Sequence, residues 1–449
     1  MPNQSLATGS APPAPEDGSA KNEGSSGHSE RLRKNIAALS VLQLLNYTLP
    51  VAVVPYLVRV LGPAHYGLLV FAQATLQYAN SITDYGFNLS ATRLVARHRD
   101  DRDALAKIFW STMAAKAFLM VCCFTILGVL LLVVPMFREH AGLFIACSGI
   151  VLGNVIFPMW FFQGMEEMKA ITIAQAGAKL LLIPAVFVLV TESDQFVRAA
   201  LIQSGVYVLA GIIGIPLMWR ITPLRWFRPS WRDVLDALRE GWHVFISMAA
   251  ILVYTSTNTL VLGFVSGPVQ VGYFGAADRI TKAAGNLMSP VTQALYPHLN
   301  SLAVESKDAA MSLIRKSLVW IGLLSAGISL VFLVGAPFIS HIVLGHQFNG
   351  SILPLRWMAF LPLVIGLSNV FGVQTMLTFG MNKEFNRIVS SSAALNLLLT
   401  IPLAMYYGAA GAAAAVLLTE CFVTAAMFWK LRSVGVLFSS SATTRSETL

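Results

Sequence analysis

The feature that most limits what this chain can become is a series of apolar runs, each long enough to cross a bilayer, that follow one another from residue 35 to residue 430. About 20 helical residues span a hydrocarbon core of about 30 Å, and a helix satisfies all its backbone hydrogen bonds within the segment. The runs fall near 35–58, 67–90, 108–134, 142–163, 171–191 and 197–219, then near 242–265, 280–300, 317–340, 353–378, 388–407 and 410–430; those at 280–300 and 353–378 are the weakest. With 56% hydrophobic and 12% charged residues and a mean hydropathy of +0.66, the composition excludes a soluble globule. The predicted fold class is an all-α polytopic membrane protein of about 12 transmembrane helices.

Lys and Arg crowd into alternate connections. One side collects Arg31, Arg33, Lys34, Arg93, Arg97, Arg99, Arg102, Lys107, Arg220, Arg225, Arg228, Arg232, Arg239, Lys307, Arg315, Lys316, Lys383, Arg387, Lys430 and Arg432, against little beyond Arg59 and Arg138 on the other. This bias predicts that both termini are cytoplasmic. The net charge of +9 and pI near 9.5 reflect topology and an attraction to membrane lipids, and give no reason to invoke nucleic acid. Residues 1–34 read as a disordered cytoplasmic tail without a cleavable signal, 220–241 as a basic linker with the character of an interfacial helix, and 431–449 as a second tail. Cys122, Cys123, Cys147 and Cys421 sit in apolar runs and pack as small hydrophobes. No cofactor is implied: Walker-type loops, metal-ligand spacings and Ser-His-Asp sets are not visible.

The chain repeats itself. Gly62-Pro63 with Gly67 leads into the second run, and Gly267-Pro268 with Gly272 leads into the eighth; Ala72 and Ala277 follow in step. The match falls at the same place in two six-helix halves, 35–219 and 242–430. Halves with an even number of spans enter the membrane alike, so the copies form parallel pseudo-repeats around a central cavity.

Both helices that follow the Gly-Pro turns carry polar stripes. Gln73, Gln77, Asn80, Asp84 and Asn88 share one face of the second; Arg279, Lys282, Asn286, Ser289, Gln293, Tyr296 and Asn300 share one face of the eighth. Such stripes line a hydrophilic cavity or bond neighbouring helices, and their length favours the cavity. Buried charge leans positive. Lys116, Lys179, Arg198, Arg279, Lys282 and Arg356 lie within apolar runs, against the acids Asp84, Asp278 and Glu420. A cation at mid-bilayer costs about 2.5–3.5 kcal/mol on insertion scales, so it faces water or a partner, and a cationic cavity suits an anion. Lys179 is the deepest and is predicted to contact an anion, together with Lys116, Lys282 and Arg279. Snorkelling rivals this role for Lys116, interfacial anchoring rivals it for Arg198 and Arg356, and an ion pair with Asp278 rivals it for Lys282. Asp84, Asp278 and Glu420 are candidates for a coupling ion, with capping, pairing and packing as their plainer roles.

A resemblance then emerges. Pro55-Tyr56-Leu57, Arg59, Leu61-Gly62-Pro63, Tyr66-Gly67 and the block Asp84-Tyr85-Gly86-Phe87-Asn88-Leu89-Ser90-Ala91-Thr92-Arg93 resemble the start of the O-antigen and polysaccharide flippases. These are the Wzx-type branch of the multidrug/oligosaccharidyl-lipid/polysaccharide exporter superfamily. Phe157-Pro158, Trp160-Phe161-Phe162-Gln163-Gly164, Glu166, Met168 and Lys179 resemble a second block, while Gly345, Phe348, Gly408, Gly411 and Glu420 look like a looser superfamily pattern. The resemblance covers nearly all of residues 35–430. It implies a flippase of the bacterial inner membrane that moves undecaprenyl-pyrophosphate-linked oligosaccharide to the periplasmic leaflet by alternating access, with ion-gradient coupling. It leaves room for a polysaccharide polymerase and a chain-length regulator as partners. A multidrug exporter, a membrane polymerase or ligase acting on lipid-linked sugars, and a non-transporting assembly protein remain as alternatives. The basic excess weighs against the first and the small extramembrane loops against the second.

Overall fold

The computed structural model describes residues 20–286 and 289–435, with side chains from Leu42 onward except at scattered positions. Among the described residues all regular structure is helical. The helices are α1 (Ala20–Asp84), α2 (Phe87–Arg97), α3 (Arg102–Val133), α4 (Pro135–Glu139), α5 (Ala141–Ile156), α6 (Met159–Gly164), α7 (Met168–Leu189), α8 (Phe196–Ile221), α9 (Trp231–Ser266), α10 (Pro268–Asn286), α11 (Ser289–Glu305), α12 (Lys307–Ile339), α13 (Ile352–Met358), α14 (Leu361–Asn369) and α15 (Asn382–Ser433). Eight helical stretches among these residues are long and apolar enough to cross a membrane.

Two helices fold back on themselves. Before Gly62, Asn46 of α1 accepts from Lys179 and the Tyr56 hydroxyl donates to the Val190 carbonyl at 2.7 Å, so the first arm runs alongside α7. After Gly62, His65 stacks on Phe196 at 4.8 Å and Gln73 bonds Gln203 at 3.1 Å, so the second arm follows α8, the antiparallel partner of α7. In α15 the break is at Gly408, and Asn396 reaches Thr419 across the hairpin at 3.1 Å. With α9 and the α10–α11 pair as further passes, this is the all-α polytopic architecture expected from the sequence.

The duplicated Gly-Pro turns share one backbone geometry. Gly62 has φ 67° and ψ 175°, and Gly267 has φ 82° and ψ 175°. Only glycine occupies that region freely, and the proline that follows opens the next helix with φ already set. The two following helices then cross through Gly67 and Gly272. A Cβ on Gly67 would overlap the Pro268 carbonyl oxygen and lie 2.7 Å from Gly272 N; a Cβ on Gly272 would overlap the Pro63 carbonyl oxygen and lie 3.0 Å from Pro63 C. Each copy of the motif therefore receives the other's proline carbonyl, and backbone meets backbone where the halves join. Tyr66, Phe71, Ala72, Phe274, Ala276 and Ala277 fill the apolar layer beside this seam.

Helix boundaries depart from the sequence reading where partners are other helices. Residues 1–19 lie outside the described residues, and the segment read as a tail to residue 34 is helical from Ala20. The eighth pass begins at Pro268, ahead of the apolar run at 280–300, because α10 buries Val271, Phe274 and Ala277 against α1 and presents Gln270, Asp278 and Arg279 elsewhere. The run at 353–378 is broken: α13 ends at Met358, α14 begins at Leu361 and residues 370–377 form a wide π helix, while just ahead of the run residues 340–344 are also π and 346–351 are 3₁₀. Residues 222–230 have no regular structure, and α9 starts at Trp231 under a capping box in which the Ser230 hydroxyl and Asp233 carboxylate bond each other's backbone amides. Hydrogen bonds from Ser230, then the Lys107 ammonium 3.0 Å away, hold the Asp233 carboxyl down to about 2. At this end, too, the halves touch: Tyr85 stacks on Phe245 at 4.5 Å and Arg93 pairs with Glu240 at 2.5 Å.

Candidate substrate cavity

A cavity of about 670 Å³ lies between the first arm of α1, α5, α7, α8 and the C-terminal half of α10. Part of its lining is apolar, from Leu45, Leu49, Val53, Ile183, Val186 and Ile202. The rest is polar and cationic, from Asn46, Asn154, Gln175, Lys179, Gln203, Tyr207, Arg279 and Lys282. Helical spacing places Gln175, Lys179 and Ile183 on one face of α7, which passes from polar to apolar along its length, and puts Gln203 and Tyr207 on one face of α8.

The three cations differ in how they are held. Lys179 donates to the Asn46 side-chain oxygen, and among the described residues neither it nor Arg279 pairs with a carboxylate. Arg279 comes from the second half and reaches across the seam, donating to Gln73 Oε1 while its guanidinium lies 5.7 Å from the centre of the Tyr66 ring. Gln73 Nε2 in turn donates to Gln203 Oε1, so a chain of amides fixes the guanidinium at the cavity's edge. Lys282, largely exposed, donates to Asp278 Oδ2 at 2.7 Å.

The remaining expected site residues fall elsewhere. Lys116 is 1% exposed and sits behind α5, donating to the Asn154 carbonyl at 3.1 Å and facing Asp84 Oδ1 at 3.4 Å. Asp84 also accepts from Asn88 at 2.6 Å, so the lower part of the first stripe joins helices. Gln73 stands directly behind the cavity wall, whereas Gln77 is exposed, Asn80 is half-buried, and neither lines the cavity. The side chains of Asn286 and Gln293 lie outside the described residues. Glu420 sits on the second arm of α15 and does not line this cavity, nor do Arg198 and Arg356.

Sequence reasoning missed Asn46, Asn154, Gln175, Gln203, Tyr207 and Tyr66. Gln175 and Gln203 had a usable signal, each being a lone amide inside an apolar run, with Gln175 one turn before Lys179. Tyr66 had none, because its role depends on a contact with the other half.

A family model described as "Polysaccharide biosynthesis protein" matches residues 32–303. A protein of Escherichia coli (strain K12) named "Putative O-antigen transporter" is 38% identical over 402 residues, covering 90% of this chain and 97% of that protein. A Shigella dysenteriae protein of the same name is 32% identical over 395 residues, covering 87% and 98%. Among solved structures, an inward-facing multidrug resistance MATE family transporter of the MOP superfamily superimposes with a TM-score of 0.68 at 14% identity, covering 91% of this chain and 100% of that one. The lipid II flippase MurJ, in an inward closed conformation, superimposes with a TM-score of 0.64 at 12% identity, covering 88% and 87%. The structural likenesses establish the fold, and the sequence matches establish that the chain belongs to the polysaccharide biosynthesis protein family, alongside relatives named putative O-antigen transporters.

Proposed function

We propose that this protein flips undecaprenyl-pyrophosphate-linked oligosaccharide repeat units from the cytoplasmic to the periplasmic leaflet of a bacterial inner membrane, by alternating access of its two halves. The observation that carries this reading is the cavity wall on which Lys179 from one half meets Arg279 and Lys282 from the other. Opposite unit charges about 4 Å apart attract by about 4 kcal/mol at an effective dielectric near 20, so two or three cations hold a pyrophosphate firmly away from bulk water. Amides at Asn46, Gln175 and Gln203 suit sugar hydroxyls, and the apolar part of the lining suits the first isoprene units. Small-ligand sites typically occupy about 300–1,000 Å³, so a volume of this size takes the pyrophosphate and the adjoining sugars while the rest of the polyprenyl tail stays in lipid.

Rocking follows from where the cations sit. An anion that draws Arg279 away from Gln73 and Tyr66 removes contacts that cross the seam, so binding and loosening of the Gly-Pro end are linked. Asp278 is the coupling-ion candidate nearest this machinery, since its carboxylate holds Lys282 at 2.7 Å and competes with the substrate for it. With both termini cytoplasmic, the basic linker end faces the side where the substrate is made.

The test is translocation in proteoliposomes. Purified protein is reconstituted with an undecaprenyl-pyrophosphate oligosaccharide, and the sugar accessible to an impermeant probe is followed under a proton or a sodium gradient. Protein-dependent transfer supports the proposal; its absence under both gradients, with the protein folded, contradicts it.

A further inference from the structure

The segment 220–232 joining the halves has no regular structure over 222–230, yet it is built rather than slack. Thr222 and Leu224 are buried, the Trp110 indole of α3 donates to the Arg225 carbonyl at 3.1 Å, and Asp233 of the capping box pairs with Lys107 of α3. Pinning the backbone to α3 turns the side chains outward. Trp226 is 71% exposed while its ring meets Trp110 at 4.2 Å, and Trp231 is 57% exposed with its ring 5.1 Å from Phe118. Around them stand Arg220, Arg225, Arg228 and Arg232, all exposed, and among the described residues none of the four pairs with a carboxylate.

We propose that this platform binds the headgroups of anionic phospholipids. It follows directly on α8, a helix apolar enough to span, which sets it at the bilayer surface. There, tryptophan rings rest among glycerol and headgroup layers while guanidinium groups meet lipid phosphates bidentately. Positive-side topology needs only charge on that face, and Arg93, Arg97, Arg99, Arg102 and Lys107 already supply it. Topology does not require the fixed backbone, the outward tryptophans, or arginines left without acids. An anionic headgroup explains all three, whereas a zwitterionic one offers each arginine a phosphate with its own cation attached. Because the platform links the halves and holds α3, bound lipid anchors the linker against the first half while the second moves.

The test uses the full-length protein in nanodiscs and the quenching of its tryptophan fluorescence by dibromo-phosphatidylglycerol and by dibromo-phosphatidylcholine at equal mole fraction. Wild-type protein is expected to be quenched more strongly by the anionic phosphatidylglycerol, with the excess falling as salt rises. Arg225→Gln/Arg228→Gln/Arg232→Gln should bring quenching down to the phosphatidylcholine value, and Trp226→Phe/Trp231→Phe, which leaves seven of the nine tryptophans as reporters elsewhere, should remove most of the excess. The corresponding triple Arg→Lys variant keeps the charge and the topology signal and should retain part of the excess. Equal quenching by the two lipids in wild type, or an excess that survives in the Gln variant, overturns the proposal. If the Gln variant does not reconstitute, the single variant Arg225→Gln decides: a reduced excess supports the site and an unchanged excess refutes it.

Discussion

Replacing Gly67 by alanine separates two physical effects of opposite sign. Helix propensity alone favours alanine over an interior glycine by about 1 kcal/mol. The seam opposes it, because the new Cβ would overlap the Pro268 carbonyl oxygen and lie 2.7 Å from Gly272 N, both backbone atoms that cannot rotate aside. Restoring an ordinary contact of about 3.3 Å to that oxygen requires α1 and α10 to part locally by about 1.5 Å. Overpacking costs about 1–3 kcal/mol, and a rigid partner puts this site at the upper figure, so the net loss for the joined arrangement is about 2 kcal/mol. At 1.36 kcal/mol per decade, that is roughly a thirtyfold shift away from it. The assay is electron–electron spin resonance between labels at Ala64 and Val269, both exposed beside the turns, with the native cysteines replaced. Gly67→Ala and Gly272→Ala should each populate longer distances and slow flipping. Gly128→Ala, where nothing lies within 4 Å of the added carbon, should do neither. If Gly67→Ala behaves like Gly128→Ala, the seam is not the close contact described above.

Three further outcomes follow from the same geometry. Lys179→Ala should lower flipping about tenfold or more, the scale of a charged hydrogen bond of about 1.5–3 kcal/mol, and Lys179→Arg should keep part of the activity; full activity in the alanine variant refutes an anion contact. Lys116→Ala strands Asp84 and should cost about 3 kcal/mol or more of stability in a detergent melt, while Lys116→Met with Asp84→Asn should recover most of it; an unchanged melting temperature with lost flipping would instead make Lys116 a substrate contact. Asp233 has its carboxyl lowered from 3.8 to about 2, so its capping contribution is complete above pH 4 and is lost as pH falls through about 2. Asp233→Ala should therefore speed hydrogen exchange in the first turn of α9 at neutral pH, by the roughly 1 kcal/mol of a lost cap, and the difference from wild type should vanish near pH 2.

Much of the architecture was legible because a bilayer asks a simple question of a sequence. Apolar run length answered it for most passes, and the repeated Gly-Pro turn marked two equivalent positions that prove to share φ and ψ. The reciprocal packing of Gly67 and Gly272 was not legible, since it depends on which helices cross and how near. The same limit explains the cations. Lys116 and Lys179 occupy similar depths in their runs, and only the partner, Asp84 for one and Asn46 for the other, separates a buried ion pair from a cavity wall. Arg279 was read as a stripe residue, but its hold on Gln73 and Tyr66 is a contact between halves. Polar residues of α10 pulled its apolar run off register because that helix packs against protein rather than lipid.

The central claim is that Lys179, Arg279 and Lys282 form one site for a pyrophosphate. Native mass spectrometry of the purified protein tests it directly, by titrating undecaprenyl pyrophosphate against undecaprenyl monophosphate and the neutral alcohol. Wild type should prefer the pyrophosphate at least tenfold over the monophosphate, and Lys179→Ala/Arg279→Ala should bind the three lipids alike. A wild type indifferent to headgroup charge, or a preference that survives in the double variant, would contradict the assignment.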